Sequence, residues 1–314
     1  MKRAGLQVRS RAGFLGNTDP PRTRVLTPQA ELAHALMSPF GARGLHIRMT
    51  ALFAHSAKLG STVNALLYID AKDLRFDDQP DGTHKAVIEV LSATFTENEK
   101  VEDPLARTYT ITLKDDRYQQ ALRSGFTYVL HHPVKKPGGY QMRIAVRDSQ
   151  SLQIGSASQF IEVPDVSKGR LALSSITLRD ATAITPPPGG ADAPEGQNAP
   201  ENPLGAPADR SFVPGEPVLF ALQVLNARVD AGKQPQLEVE ERVFRDGVQV
   251  GTSKPRPADT ASQGDAAHRI AAGEFRLGAG MKPGDYVLQV IVTDKLADPS
   301  NAVASQWMDF EIRE

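Results

Sequence analysis

The chain has 314 residues, a length that suits two domains of about 100–150 residues, each able to bury its own core, better than one ordinary sandwich. Its 36 Lys and Arg nearly balance 37 Asp and Glu, and the resulting formal charge of −1 disfavours nucleic acid or an anionic membrane as a partner. The absence of Cys excludes disulfides, thiolate metal sites and a thiol nucleophile, and leaves the compartment open.

Met1-Lys2-Arg3 has the charge that begins a signal peptide, but Gln7, Arg9, Ser10 and Arg11 stand where the apolar region should follow, so no signal peptide is read there. Residues 4–14 alternate like a strand, and a Pro- and Arg-rich stretch then runs to Arg24 without a core pattern; the segment 1–24 is expected to lack a stable home in this chain. Thr27 reads as an N-cap with Pro28 at the first helical position, and Leu32, Ala35 and Leu36 form a short apolar stripe before Pro39.

From there, strands are predicted at Leu45–Ala54, Val63–Asp70, Lys85–Thr96, Arg107–Lys114, Phe126–Val134, Tyr140–Asp148 and Ile154–Val163, with a short helical piece at Asp116–Arg123. The longest apolar run, Ala65–Ile69, is far below the ~20 residues that cross a bilayer, so no membrane insertion is expected. A second set is predicted at Leu171–Leu178, Val218–Asn226, Leu237–Arg245, Val248–Ser253, His268–Leu277, Tyr286–Asp294 and Val303–Ile312, with an Asp246-Gly247 hairpin turn. Between Leu178 and Val218, residues 185–210 are dominated by Pro, Gly, Ala, Asp and Asn; they read as a disordered insertion after the first strand of the second set. A true interdomain linker is the alternative, against which stands the compact exit Val163-Pro164-Asp165.

The two sets are copies. Lys136-Pro137-Gly138-Gly139-Tyr140, followed by Met142, Ile144, Val146 and Asp148, returns as Lys282-Pro283-Gly284-Asp285-Tyr286, followed by Leu288, Val290, Val292 and Asp294. Each is a Pro-Gly turn running into a half-buried strand. Ala157–Val163 returns likewise as Ala304–Phe310. The fold class that follows is all-β: two tandem antiparallel sandwiches of immunoglobulin or fibronectin type, at 25–165 with a short leading helix and at 169–314.

Residues 5–14, the Asp81-Gly82 turn, Ser124-Gly125-Phe126, Pro133–Arg143, Gly155–Phe160 and Val163-Pro164-Asp165 together resemble the C-terminal part of the von Willebrand factor A-related (VWFA-related) domain proteins found chiefly in Acidobacteria. The resemblance implies that residues 1–24 are the remnant of the last strand of an A domain otherwise missing here, and that the chain is extracytoplasmic. The family's Asp-x-Ser-x-Ser metal signature is absent, since Asp165-x-Ser167 is followed by Gly169, so metal-dependent adhesion is not carried over.

Tyr140 and Tyr286, each opening a strand two residues after a Pro-Gly turn, fit the tyrosine corner of Greek-key sandwiches and point to structure, not catalysis. Asp77, Gln79, Asp81, Gly82 and Thr83 fall near the register of a calcium loop, but Pro80 interrupts it and Ile88 stands where a bidentate Glu belongs. His131 and His132, adjacent in a strand, point to opposite faces and do not readily share a metal. With no nucleophile elbow, P-loop, zinc pair or dinucleotide fingerprint, no catalytic residue, metal or cofactor is assigned. The expectation is a non-catalytic binding or spacer region that meets a protein or cell-surface ligand; the alternative is a hydrolase, glycan-processing or glycan-binding module with its site in the sandwich-end loops.

Overall fold

The computed structural model describes residues 26–56, 58–98, 100–181, 208, 210–232, 234–262 and 268–314. The expected N-terminal remnant and most of the expected 185–210 insertion lie outside these residues. Ala208 and Arg210, at the end of that insertion, are packed: Ala208 is buried and its carbonyl accepts the Thr50 hydroxyl, and Arg210 pairs with Asp309 at 2.8 Å.

Helix α1, Pro28–Met37, begins where Thr27 Oγ1 accepts the Ala30 N–H and Pro28 supplies the preset φ of a first turn. Eight strands follow: β1 (Ile47–Ser56), β2 (Gly60–Ile69), β3 (Asp77–Asp78), β4 (Thr83–Thr96), β5 (Val101–Lys114), β6 (Phe126–Pro133), β7 (Gly138–Asp148) and β8 (Ile154–Val163), with helix α2 (Asp115–Ser124) between β5 and β6. One sheet has the order β1-β2-β6; the other has β3-β4-β7-β8 with β5 also on β4. The second module contains β9 (Ala172–Leu173), β10 (Thr177–Asp180), β11 (Ser211–Phe212), β12 (Pro217–Leu225), β13 (Leu237–Arg245), β14 (Val248–Thr252), β15 (Arg256–Pro257), β16 (Asp259–Ser262), β17 (Arg269–Arg276), β18 (Gly284–Asp294) and β19 (Val303–Ile312). Its sheets run β10-β12-β17-β16 and β11-β19-β18-β13-β14. The chain is all-β, built as immunoglobulin-like sandwiches. Among the described residues, strand pairing is antiparallel except for β11 on β19, which is parallel.

The repeated turn and strand become β7 and β18, and their Pro-Gly turns deliver φ values of 146° at Gly138 and 134° at Gly284, open to glycine and not to other residues. The match between Ala157–Val163 and Ala304–Phe310 is two residues out of step with the pairing. Tyr140 lies opposite Ile161, and Tyr286 opposite Phe310. Because side chains alternate with period two, the slip leaves every face assignment intact.

The β1-β2-β6 sheet is buried on both faces. Ala51, Phe53, Val63, Ala65, Leu67 and Ile69 pack in the first core, while Leu52 and Leu66, one residue along, pack in the second with Leu173, Ile176 and Phe220. Ala172 and Leu225 of the second module join the first core in return. A strand covered on both faces has no polar side to alternate with, which is why β2 reads as an apolar run.

The free edge of β1 is closed by side chains at every second residue. Ala51 N–H and C=O meet the Gln159 amide at 3.0 and 3.1 Å, and His55 N–H and C=O meet the Gln223 amide at 2.9 and 3.1 Å. Between them Phe53 N–H donates to Ser175 Oγ at 2.9 Å, and its carbonyl accepts Ser175 N–H at 3.1 Å. Each partner offers one donor and one acceptor, as a neighbouring strand would. The expected single strand Leu171–Leu178 is therefore split into β9 and β10, because Ser174 binds β12 and Ser175 turns to β1.

Candidate functional site

Tyr140 and Tyr286 are buried and donate their hydroxyls to the carbonyls of Lys136 at 2.8 Å and Lys282 at 2.9 Å, four residues upstream. The turn before each strand is thereby tied to the strand it launches. Tyr286 carries more: Arg245 Nη1 donates to its oxygen at 3.0 Å, and the guanidinium lies 5.2 Å from its ring centroid.

The copies share a second device missed at the level of sequence roles. Asp148 and Asp294 end β7 and β18 fully buried. Asp148 accepts the backbone N–H groups of Arg75, Gln150 and Ser151 and the Ser151 hydroxyl; Asp294 accepts those of Arg228 and Leu296. Each carboxylate binds its own turn to a loop from elsewhere in its module, so both are spent on the fold.

The hairpin at Asp77–Thr83 uses its carboxylates internally. Asp81 Oδ1 accepts Thr83 N–H at 3.0 Å and the Thr83 hydroxyl at 2.7 Å, which holds its pKa below the ordinary range; Asp77 receives the Gln150 amide. Asp78 turns to His84, whose other nitrogen meets Asp115 at 2.9 Å while its ring stacks on Tyr118. The hydrogen bond to Asp115, then that to Asp78, raises the His84 pKa. Among the described residues no three His, Asp or Glu side chains are placed to hold one metal ion.

His131 and His132 do fall on opposite sides of β6. His131 meets Asn64 Oδ1 at 2.7 Å, and its pKa is lowered by burial and then by His132. His132 is completely buried and bridges three strands: Nε2 lies 3.1 Å from Ser92 Oγ on β4, and Nδ1 lies 3.1 Å from both the carbonyl and the carboxylate of Asp103 on β5. Both groups of Asp103 are acceptors, so Nδ1 carries the proton and Nε2 accepts the Ser92 hydroxyl. The connectivity is that of a serine, base and acid relay, and no sequence motif marks it. Ser92 is as buried as His132, leaving a substrate carbonyl no route to Oγ. The trio serves as a polar pin between the two sheets of the first sandwich, where desolvation lowers the His132 pKa.

The outer faces of the two modules differ. In the first, α1 lies over β4 and β7, placing Leu32 and Leu36 against Ala93, Phe95 and Ala145. Arg147 beneath it reaches Glu31 of the helix at 3.3 Å and Glu89 of β4 at 2.8 Å. In the second, the corresponding face presents Trp307, the only Trp of the chain, its ring tilted against Phe244 at 5.4 Å between centroids and still half exposed.

No family model and no curated protein matches the chain. Among solved structures, the chain is similar over 85% of its length to Salmonella alpha-2-macroglobulin at 11% identity and TM-score 0.27, spanning 16% of that chain. A protein of Corynebacterium diphtheriae is similar over 85% at 14% identity and TM-score 0.24, with 59% of its own length spanned. The C-terminal domain of the Streptococcus agalactiae AgI/II polypeptide BspA is similar over 85% at 10% identity and TM-score 0.20, with 99% of its length spanned. No helix among the described residues is long and apolar enough to cross a membrane.

Proposed function

We propose that the chain is a non-catalytic binding and spacer region of a bacterial cell-envelope or secreted adhesion-type protein, acting outside the cytoplasm on a protein or cell-surface ligand. The observation that carries this reading is the β1-β2-β6 sheet, which contributes side chains to both cores. Two sandwiches joined through a common sheet and a bonded strand edge form one stiff body that holds its loops and outer faces at fixed separation. The envelope assignment is supported by the resemblance to VWFA-related proteins. Small-angle scattering tests the spacer role: one profile, fitted by a single rigid arrangement and unchanged from low to high salt, is expected. A profile that requires an ensemble of module orientations would overturn it.

A second reading, a hydrolase, is favoured by the Ser92–His132–Asp103 connectivity. Burial of Ser92 opposes it. Turnover of p-nitrophenyl acetate that disappears in Ser92→Ala, with the fold retained, would establish this reading in place of the first.

A further inference from the structure

Strand β19 is paired along its whole length on one side only. Its ladder with β18 is regular from Val303 to Ile312. On the other side β11 meets Glu311 and Ile312, and among the described residues no strand pairs there with the stretch from Val303 to Phe310. The N–H groups of Glu311 and Arg313 point to that side, where they donate to the carbonyls of Arg210 and Phe212. Backbone groups alternate along a strand, so Val303, Ser305, Trp307 and Asp309 also turn their N–H and C=O outward. Trp307 N–H is met not by a ladder but by the side chain of its neighbour, Gln306 Oε1 at 3.2 Å.

Other edges of the molecule are guarded. The edge of β1 is closed by the side chains already described, and β8 is bracketed at its start by Ala42 and Gly44, which bond Ser156 and Ile154. β5 carries Glu102, Asp103, Pro104 and Arg107, with a break in register beside Ser92. β14 and β16 are five and four residues long. Charge, proline, irregular register and short length are the devices that keep an exposed edge from recruiting another strand. β19 lacks them: Val303-Ala304-Ser305-Gln306-Trp307-Met308 contains no charge, proline or glycine. On its outer face the same stretch presents Val303 at 60% and Trp307 at 50% exposure.

An unpaired row of N–H and C=O groups selects the form of its occupant, an extended polypeptide. We propose that the occupant is β19 of a second copy of this chain, added antiparallel about a two-fold axis through Ser305. The strand's own pattern sets that register. β11 stands beside Glu311 and Ile312, so an added strand must end before it. With the axis at Ser305, Trp307 lies directly opposite the partner's Val303, and Val303 opposite the partner's Trp307. The exposed apolar side chains of the strand then cover each other twice, in the aromatic and β-branched pairing that cross-strand packing favours. Moving the axis one residue toward β11 would set Val303 against Asp309 and Trp307 against Ser305. The outer-face row Arg242, Gln289 and Trp307, on β13, β18 and β19, continues across the axis onto the partner's Val303 and the partner's Thr293. A two-fold axis consumes both edges, so the assembly closes as a dimer. One short strand pair buries less than the roughly 1,200–2,000 Å² of a stable interface, which sets the dissociation constant on the order of 10–100 μM.

Sedimentation velocity of the full chain from about 5 to about 500 μM should show a monomer passing reversibly to a dimer. Over the same range the emission of Trp307, the only Trp, should shift to the blue, and amide exchange at Ser305 and Trp307 should slow. Ser305→Lys, which sets two ammonium groups on the axis, should abolish the dimer, and Trp307→Ala should weaken it at least tenfold; thermal melts at low concentration establish that each variant folds. The chain has no Cys, so Ser305→Cys supplies a single thiol. Dibromobimane, which joins two thiols a few ångströms apart, should link Ser305→Cys chains in pairs and leave Ser158→Cys chains, labelled on the first module, unlinked. A monomer at every concentration would overturn the proposal, as would a dimer that survives both Ser305→Lys and Trp307→Ala. So would a monomer whose Ser305 and Trp307 N–H groups are already protected, since the edge would then be occupied by another segment of the same chain. Failure here leaves the rigid-spacer reading standing.

Discussion

Leu52 and Phe53 are consecutive in β1 and feed different cores, so truncating Leu52 tests whether the second module depends on the first. Leu52→Ala removes three buried carbons at about 0.8 kcal/mol each, near 2.4 kcal/mol of transfer free energy. The remaining cavity raises the cost to about 3–4 kcal/mol, because a strand pinned on both faces has little freedom to collapse into the gap. Urea unfolding followed by far-UV circular dichroism reports both modules; Trp307 fluorescence reports the second alone. Although Leu52 lies in the first module, Leu52→Ala is expected to move the Trp307 transition by that full amount, coincident with the dichroism. A Trp307 midpoint that stays in place while an earlier dichroism phase shifts would refute the shared layer and leave two independently folding units.

Gln223→Ala should cost about 2–4 kcal/mol in the same assay, since it leaves the N–H and C=O of His55 without their partner at a part-buried edge. Tyr140→Phe is expected to lower stability by ~1 kcal/mol, the worth of one hydroxyl bond, and Tyr286→Phe by somewhat more because Arg245 also loses an acceptor; unchanged midpoints in both would deny the corner bonds a role. Gly125→Ala should destabilise strongly: φ is 66°, and a Cβ there would stand 2.5 Å from the Tyr68 ring, so a wild-type melting temperature would contradict the packing described. His132 and His84 pull in opposite directions with pH. Burial holds the folded His132 pKa below the ordinary 6.5, so the unfolded chain takes up that proton first; stability from this site is complete above about 6.5 and declines as pH falls below it. For His84 the folded value is raised, so its contribution is complete below about 6.5 and is lost as pH rises through the folded value. Melting temperatures from pH 5 to 8 for His132→Gln and His84→Gln, compared with wild type, should reduce the acid-side and the neutral-side slopes respectively.

The elements with local signals were readable. Pro-Gly turns and period-two alternation located β7 and β18, and Thr27-Pro28 located the start of α1, because each signal is contained in a few neighbouring residues. The doubly buried sheet was not. Ala65–Ile69 could be read as apolar, but nothing in the run says that its odd members serve one core and Leu66 another; that depends on a strand over a hundred residues away. β5 begins at Val101, six residues earlier than its pattern suggests, because an edge strand tolerates Glu102, Asp103 and Arg107 on its exposed sides. The outer-face row was hidden for a related reason. Arg242, Gln289 and Trp307 come from three strands, and the two-residue slip in β19 means that the repeat itself aligns Trp307 with Phe160 instead of with Ser158, its counterpart in the pairing.

The bonded edge of β1 also determines how this molecule can be taken apart. An excision at Gly169, the natural seam between the copies, would strip Leu52, Leu66 and the half-buried Tyr68 and Val129 of their cover and leave the N–H and C=O groups of Phe53 and His55 as an open template. The separated N-terminal half would then carry a greasy patch beside an unpaired strand, the two ingredients of fibrous aggregation. The piece that could be moved intact into another polypeptide is therefore the pair, and a graft that respects the period of the repeat would cut through the middle of a core.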